Sequence, residues 1–206
     1  MKIYDFVGAP NPKKVRIYLA EKGLQIPLVP VNIVTGENRT REFLAKNPAG
    51  GLPVLELDDG TCLPESLAII QYLEELNPSP PMIGTTPLER ARVRSLERVA
   101  ELGVLYPVAT YFQNTHPFMA QRVPKQSPDA AENAKAALGR SLKLLDATVG
   151  KGPFVAGPRP TIADCTLWAA YDFAEFAGIP LGQLAPEAKN LAAWHAGFRE
   201  RPSAKA

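Results

Sequence analysis

The segment from Asn47 to Leu55 constrains the fold of this chain more than any other stretch. Its Asn-Pro and Gly-Gly pairs predict a turn, and the apolar residues that follow predict a short strand. Proline is tolerated in a strand only at the first residue or at a bulge, so Pro53 is expected where the strand begins. A cis bond before Pro53 would turn the Leu52 backbone outwards, where its N–H and C=O could pair with an extended peptide-like ligand.

A helix that begins with an acidic residue and a serine is predicted shortly after this strand. Glu65 and Ser66 precede apolar residues at positions 69, 72, 73 and 76, which share one face of a helix. Free backbone N–H groups and the positive end of the helix dipole favour a bound carboxylate at such a position. Glu65 could alternatively be only a favourable residue for a first helical turn.

The first 77 residues are predicted to alternate between strands and helices. Strands are expected at Ile3–Tyr4, Leu28–Ile33, Val54–Leu57 and Thr61–Leu63, and helices at positions 12–22, 40–46 and 65–76. A right-handed crossover between the first two strands would then build a small mixed sheet flanked by helices. Asn11 is a suitable N-cap for the first helix, and Pro12 is suited to its first position.

A proline-rich linker is predicted at positions 78–86, and the remaining chain, 87–206, is predicted to be helical. Thr161 and Asp164 match a capping box in front of the apolar run Cys165–Phe176. Because a helix that is apolar on most sides must be buried, this run is expected at the centre of a helical domain. A final amphipathic helix is expected from Leu191 to Arg199.

In this order, these features resemble the cytosolic glutathione S-transferases over essentially the whole chain. In that family the residue before a cis-proline pairs with the cysteinyl backbone of glutathione, and an acidic-Ser pair at the third helix holds its γ-glutamyl end. The resemblance implies a glutathione-transferase fold, with an α/β thioredoxin-like N-terminal domain (1–77) and an all-α C-terminal domain (87–206). It also implies that Leu52, Pro53, Glu65 and Ser66 bind glutathione, which serves as co-substrate.

The loop expected to face the glutathione thiol departs from the family's pattern. When Val15-Arg16-Ile17 is aligned with the V-x-I of theta- and zeta-like members, Ala9 occupies the place of their catalytic serine. Against the bacterial cysteine class, Pro10 occupies the place of the cysteine. Neither alignment supplies the usual hydroxyl or thiol.

The run Ala9-Pro10-Asn11 instead resembles the Thr-Pro-Asn loop of the bacterial nu-like class. That class can reduce disulfides and peroxides with two glutathione molecules and no protein cysteine. A free thiol has a pKa of about 8.5, and a donor and a helix dipole would have to lower it. Asn11 is therefore the predicted catalytic residue, beside Ala9, with backbone N–H groups as alternative donors. Asn11 could also only cap the helix.

Other contacts of glutathione and of the second substrate are less specified by the sequence. Many family members carry a lysine or glutamine two places before the cis-proline, where this chain has Gly51, so Arg39 or Arg41 is expected to bind the glycyl carboxylate. The basic residues at positions 13, 14 and 16 are interpreted as a solvated face. The second substrate is expected between the domains, against aromatic residues that could equally be core: Tyr106, Tyr111, Phe112, His116 and Phe118.

Composition argues against several other classes of protein. The net charge of +2 gives no reason to expect nucleic acid or an anionic membrane as partner. The two cysteines, Cys62 and Cys165, belong to no metal-binding motif, which predicts neither disulfides nor a metal and suits a reducing cytoplasm. No stretch approaches the roughly 20 apolar residues of a membrane span, and Asp5 interrupts any signal-peptide pattern.

The resemblance implies an enzyme that conjugates glutathione to a small hydrophobic electrophile, as in detoxification, and that forms a homodimer. Two alternatives stay open. One is a nu-like glutathione-dependent reductase of disulfides or peroxides, and the other is a protein that binds glutathione or another ligand without catalysis. A relative that has lost glutathione altogether would leave Glu65 and Ser66 without a role.

Overall fold

Backbone contacts divide the chain into two compact units in a computed structural model that describes residues 1–149 and 152–206. The first comprises Met1–Met82 together with Pro202–Ala206, and the second comprises Ile83–Arg201. We call them the sheet unit and the helical unit. The domain limits expected from the sequence, 1–77 and 87–206 with a linker at 78–86, stay predictions.

The sheet unit contains a four-stranded mixed sheet, as the sequence predicts. Its strands are β1 (Lys2–Asp5), β2 (Leu28–Pro30), β3 (Val54–Glu56) and β4 (Cys62–Pro64), in the spatial order β2-β1-β3-β4. The pair β1–β2 is parallel, whereas β1–β3 and β3–β4 are antiparallel. A parallel pair of consecutive strands requires a crossover, which the intervening helix provides.

Three helices accompany the sheet: α1 (Pro10–Lys22), α2 (Arg41–Lys46) and α3 (Ser66–Leu76). Val54 and Leu55 are adjacent in β3 and are both fully buried. Since consecutive strand residues point to opposite faces, both faces of the sheet are covered. The structure therefore confirms the predicted α/β class of this half.

Two boundaries in the sheet unit differ from the sequence-based prediction by two residues or more. Helix α1 begins at Pro10, with Ala9 as N-cap, so the predicted start at Pro12 was two residues too late. Strand β2 ends at Pro30 rather than at Ile33. The Oδ1 atom of Asn32 accepts hydrogen bonds from the N–H groups of the second and third residues after it, at 2.9 and 3.3 Å, and this Asx-type turn replaces the predicted end of the strand.

The helical unit contains α4 (Pro87–Ala100), α5 (Tyr106–Thr115), α6 (Pro128–Thr148), α7 (Ile162–Phe176), α8 (Leu181–Leu184) and α9 (Lys189–Arg199). A π-helical turn, Glu101–Leu105, joins α4 to α5. Eleven of the fifteen residues of α7 are buried, which confirms the predicted central helix. The four-residue helix α8 was not predicted.

Asp164, in the first turn of α7, is the polar centre of the helical unit. Its buried carboxylate accepts hydrogen bonds from the N–H and hydroxyl of Thr161, at 2.8 and 2.9 Å. It also accepts from the N–H of Val155 at 2.9 Å and from the indole of Trp194 at 2.8 Å. Burial raises the pKa of Asp164, and these hydrogen bonds oppose that rise. One side chain thus ties α7 to the loop before it and to α9.

We expect Asp164→Ala to lower the free energy of unfolding by about 3 kcal/mol, because buried N–H groups would lose their acceptor. Denaturant titration followed by circular dichroism would measure this difference. Glu132→Ala, at an exposed position of α6, is the matched control and should change stability by less than about 0.5 kcal/mol. Equal stability of the Asp164 variant and wild type would contradict the assignment.

Candidate functional site

The Leu52–Pro53 peptide bond is cis, as the sequence predicts, and β3 begins at the next residue. The Leu52 side chain packs against the cluster formed by Tyr4, Val31, Phe43 and Val54. Among the residues described, none forms a backbone hydrogen bond with the N–H or C=O of Leu52. Leu52 is therefore anchored by its side chain while its backbone keeps a donor and an acceptor for a ligand.

Two asparagines hold the loop that leads into Leu52. The Nδ2 of buried Asn38 donates to the Gly50 carbonyl at 2.8 Å. The Nδ2 of Asn47 donates to the Gly51 carbonyl at 2.9 Å, while its Oδ1 accepts from the Ala49 N–H at 3.1 Å. These bonds fix the backbone on the N-terminal side of the candidate ligand contact.

Arg39 lies against the same loop. One of its N–H groups donates to the Ala49 carbonyl at 3.1 Å, and its Nη1 would lie 2.8 Å from a Cβ added at Gly50. Gly50 has a φ of 64°, so both its conformation and its surroundings require glycine. Arg41 is exposed at the start of α2. Of the two predicted anchors for a glycyl carboxylate, Arg39 is the one placed on this loop.

The start of α3 combines free donors with a strained residue. Ser66 is the first helical residue and is buried, and Glu65 is an exposed N-cap whose side chain makes no capping hydrogen bond. Glu65 has φ 73° and ψ 116°, and it is the one non-glycine residue with positive φ in the described chain. Such backbone strain is concentrated at functional sites. The first N–H groups of a helix lack helical acceptors, so this end can receive a carboxylate.

The start of α1 holds the predicted catalytic residue. Asn11 lies at the second position of the helix, so the alternative role of Asn11 as N-cap is wrong. Pro10 takes the first position, for which its fixed φ is suited, and this shifts the cap to Ala9. Asn11 is exposed, and none of the residues described forms a hydrogen bond with its side chain.

Prolines limit the backbone donors at this helix start. Pro10 and Pro12 have no N–H, the Ala9 N–H donates to the Phe6 carbonyl at 3.1 Å, and the Lys13 N–H donates to the Ala9 carbonyl at 3.2 Å. Within the described chain, the Asn11 N–H is thus the one first-turn backbone donor that lacks a protein acceptor. Asn11 concentrates a backbone and a side-chain donor at the positive end of α1.

A buried ion pair supports the loop before α1. The Nη1 of Arg16 lies 2.6 Å from Oδ1 of Asp5, and its Nη2 donates to the Val7 carbonyl at 3.0 Å. The interpretation of positions 13, 14 and 16 as a solvated face was wrong for Arg16 and for Lys14, because both are buried. An acidic residue at the end of β1, in register with an arginine on α1, was the signal that could have indicated this pair.

Tyr4 is engaged in packing and hydrogen bonding within the sheet unit. Its ring meets Phe43 edge-on at 5.9 Å, and its hydroxyl donates to Glu56 at 2.7 Å. The Glu56 carboxylate also forms ion pairs with the Nζ atoms of Lys46, at 2.8 Å, and of Lys2, at 3.1 Å. Hydrogen bonds from Lys46, Tyr4 and Lys2, in that order of strength, lower the pKa of Glu56 to about 2. The Tyr4 hydroxyl is therefore committed to a carboxylate.

Two of the five aromatic residues predicted to contact a second substrate lie together in the helical unit. The Phe112 and His116 rings are 4.7 Å apart, and Phe112 also contacts Phe173 at 5.1 Å and Phe176 at 5.5 Å. The two phenylalanines of α7 were not predicted. Their spacing of three residues was visible, but the apolar run around them gave no reason to single them out.

The other three predicted aromatic residues lie apart from this cluster or at its edge. Tyr106 is largely exposed, Tyr111 is half-buried, and the partly exposed Phe118 ring is covered by the guanidinium of Arg122 at 3.7 Å. The Phe118 N–H donates to Nδ1 of His116 at 3.2 Å, which leaves Nε2 as the protonated nitrogen when the ring is neutral.

The described residues contain neither a metal-binding cluster nor a membrane-spanning helix. No group of three or more His, Cys, Asp or Glu side chains there is arranged to hold a metal ion. Every helix in the same residues is too short or too polar to cross a lipid bilayer.

Family models match both halves of the chain. The model for the glutathione S-transferase N-terminal domain matches residues 3–81. The model for the glutathione S-transferase C-terminal domain matches residues 128–197. The candidate ligand contacts at the start of α1, before β3 and at the start of α3 all lie within the first match.

Individual proteins match over nearly their whole length. Glutathione S-transferase 2 of Saccharomyces cerevisiae is 36% identical, with 100% of this chain and 88% of that protein covered. Maleylacetoacetate isomerase of Pseudomonas aeruginosa is 33% identical, with 97% and 94% covered. The crystal structure of a glutathione S-transferase domain-containing protein from Marinobacter aquaeolei is 41% identical with a TM-score of 0.89, and 99% of this chain and 100% of that chain are covered.

Relief of the strain at Glu65 provides a test of this site. We expect Glu65→Gly to raise the free energy of unfolding by about 1 kcal/mol, because glycine adopts positive φ without steric strain. The same change should weaken the binding of glutathione measured by calorimetry, since the carboxylate is lost. Glu42→Gly, at an exposed position inside α2, should instead destabilise by about 1 kcal/mol. Loss of stability in Glu65→Gly, with binding intact, would contradict both roles.

Proposed function

Because this chain belongs to the glutathione S-transferase family, we propose that it binds glutathione on the sheet unit and activates the glutathione thiol for attack on an electrophile. The observation that carries the proposal is a set of polar groups in this unit for which the described residues provide no hydrogen-bond partner. These are the backbone of Leu52, the first N–H groups of α3, and both donors of Asn11.

Each of these groups suits a different part of glutathione. The Leu52 N–H and C=O would pair with the cysteinyl backbone, as one strand pairs with another. The N-terminus of α3 would receive the γ-glutamyl carboxylate, and the Glu65 carboxylate would attract the neighbouring ammonium group. Arg39, which lies against the Asn47–Gly51 loop, would attract the glycyl carboxylate. Pro53 and Ala9 would contact glutathione through van der Waals packing rather than through charged groups.

Asn11 would stabilise the thiolate of bound glutathione. Its backbone N–H and side-chain amide can each donate a hydrogen bond to a sulfur anion, and the positive end of α1 adds a favourable potential. Since the thiolate is the nucleophile, a lower thiol pKa increases the reactive fraction at neutral pH. Attack on an electrophilic carbon would form a C–S bond, break the bond to a leaving group such as the halide of an aryl halide, and give a glutathione conjugate, the reaction expected in detoxification.

The sequence Ala9-Pro10-Asn11 favours a second candidate reaction, reduction of a disulfide or a peroxide. In the disulfide case the thiolate would attack one sulfur, form a mixed disulfide and expel a thiolate. A second glutathione thiolate would then attack the glutathione sulfur of the mixed disulfide, which forms glutathione disulfide and expels the remaining substrate thiolate. No protein thiol is required, and Cys165, buried in α7, and Cys62, half-buried in β4, are both outside any disulfide. Cysteines that are not in disulfides also suit a cytoplasmic location, which we propose for this protein.

We further propose a homodimer formed through α4 and the segment after it. Leu88, Leu102 and Tyr106 are large apolar residues that are more than half exposed along this part of the helical unit. An apolar stripe of that kind is typical of a protein–protein interface, and a second copy suits it because dimers are expected in this family.

The thiol pKa of bound glutathione, measured by thiolate absorbance, tests the proposed activation. We expect a value below about 8.5 in wild type and a partial rise in Asn11→Ala, because the backbone N–H remains. Pro12→Ala restores a backbone N–H next to the site and should lower the value or leave it unchanged. Asn190→Ala is the control, since Asn190 has the same second position in α9.

Two outcomes of this experiment, followed by a panel of substrates, distinguish the alternatives. A depressed pKa that Asn11→Ala does not change would assign the activation to the backbone alone. Bound glutathione with an unshifted thiol would contradict the transferase proposal and leave a binding protein. If the thiol is activated, a panel of aryl halides, disulfides and peroxides, with maleylacetoacetate included because of the Pseudomonas aeruginosa relative, would separate the two reactions.

Light scattering coupled to size exclusion tests the dimer. We expect wild type to elute as a dimer and Leu102→Glu to elute as a monomer, because the new carboxylate would be buried without a partner. Leu144→Glu changes an equally exposed leucine on α6 and should stay dimeric. A monomeric wild type, or an unchanged Leu102→Glu, would contradict the interface.

A further inference from the structure

The helical unit contains a cavity of about 350 Å³ that the proposed glutathione chemistry does not use. Its walls come from α6, α7, α8 and α9 and from the loops around α8. Most of the lining is apolar, including Leu142, Ala174, Ile179, Leu181 and Ala192. This volume lies within the range of small-molecule sites, which are largely apolar and contain a few polar groups.

Two polar side chains in the lining lack protein partners. No described residue forms a hydrogen bond with the Tyr171 hydroxyl or with the ring nitrogens of His195. The His195 ring stacks on Trp168 at 5.2 Å and on Tyr171 at 4.8 Å, which fixes its position. Both side chains are partly exposed, so the Tyr171 hydroxyl and the His195 nitrogens stay available to a molecule in the cavity.

Both groups are uncharged at neutral pH. Burial, with the negative charge of Asp146 as a second cause, raises the pKa of Tyr171 to about 12, so its hydroxyl remains a donor. Burial, followed by the charge of Arg199, lowers the pKa of His195, while Glu175 opposes this shift. Neutral histidine offers one donor and one acceptor. The charged lining residue Glu175 pairs with Arg199 at 3.7 Å, so the cavity carries no unbalanced charge from that pair.

The cavity is separate from the aromatic cluster around Phe112. Phe173 and Phe176 of α7 contact that cluster, whereas Tyr171 and Glu175 line the cavity. Each of the latter is two residues from Phe173, which is about 200° around an α-helix. The two sites therefore lie on opposite faces of α7.

We propose that this cavity binds a small uncharged molecule with an apolar body of about two fused rings and one hydroxyl or carbonyl group. The apolar walls match the rings, and the oxygen accepts from the Tyr171 hydroxyl. A hydroxyl on the ligand also donates to His195. A charged ligand is disfavoured, because Glu175, the charged residue of the lining, is already paired with Arg199 and the apolar walls do not offset desolvation.

The tryptophans provide the readout for a test with 2-naphthol. The chain has two, Trp168 and Trp194, and their rings lie 5.2 Å from His195 and 5.6 Å from Tyr171 respectively. We expect saturable quenching of tryptophan fluorescence by 2-naphthol, with the stoichiometry confirmed by calorimetry in the absence of glutathione. Naphthalene should bind more weakly, and naphthalene-2-sulfonate should not saturate the signal.

Two pairs of variants make this test specific. Tyr171→Phe should lower the affinity for 2-naphthol about two- to tenfold, since one hydrogen bond is removed, and should leave the affinity for naphthalene unchanged. Ala192→Phe places a large side chain at an exposed lining position and should abolish binding of both probes. Ala193→Phe, at the adjacent exposed position outside the lining, is the control and should bind as wild type does.

Three results would overturn the proposal. Unsaturable quenching in wild type would mean that the cavity holds only water. Equal affinity of Ala192→Phe and Ala193→Phe for 2-naphthol would place the probe elsewhere. Displacement of the probe by an S-alkylglutathione would place it at the site of conjugation. None of these results depends on thiol activation, so a failure here leaves the transferase proposal untouched.

Discussion

The side-chain hydrogen bonds of Asn38 and Asn47 to the loop before β3 are the constraint on which the candidate site depends. They pair the Ala49 N–H and the carbonyls of Gly50 and Gly51, whereas no described residue forms a backbone hydrogen bond with the N–H or C=O of Leu52. A segment with an unpaired donor and acceptor is normally a liability at a sheet edge. Here the amide side chains of Asn38 and Asn47 fix the backbone before Leu52, and the buried strand β3 fixes the backbone after it. This arrangement suits Leu52 to bind a peptide-like ligand.

The start of α1 is likewise distinguished by how few free backbone N–H groups it has. Most helices offer several free N–H groups to an anion, but prolines at the first and third positions leave Asn11 as the residue that can donate. Arg16 stabilises the loop before α1, because it is paired with Asp5 and also donates a hydrogen bond to the Val7 carbonyl. Thiol activation in this protein would therefore depend on one residue and on a buried ion pair that keeps its helix start in place.

Much of the fold could be predicted from the sequence because its signals are local. The Thr161–Asp164 capping box, the cis-proline strand and the apolar run of α7 each specify their own element. The errors in element boundaries arose where local signals compete. Pro10 and Pro12 are both suitable first residues of a helix, and Asn32 can end a strand by forming a turn through its side chain. The acidic residue at the end of β1 could have indicated the burial of Arg16, whereas the cavity beside the short helix α8 depends on elements distant in sequence, so no local pattern reveals it.

The assignment of residues 202–206 to the sheet unit has a consequence for how the protein is made. Ser203 is buried and its hydroxyl bonds Glu21 of α1, and Ala204 is buried as well. The unit that begins at Met1 is thus finished by residues synthesised after the whole helical unit. On the ribosome the helical unit has its complete sequence first, and the N-terminal unit remains without its final packing partner until residues 202–206 emerge.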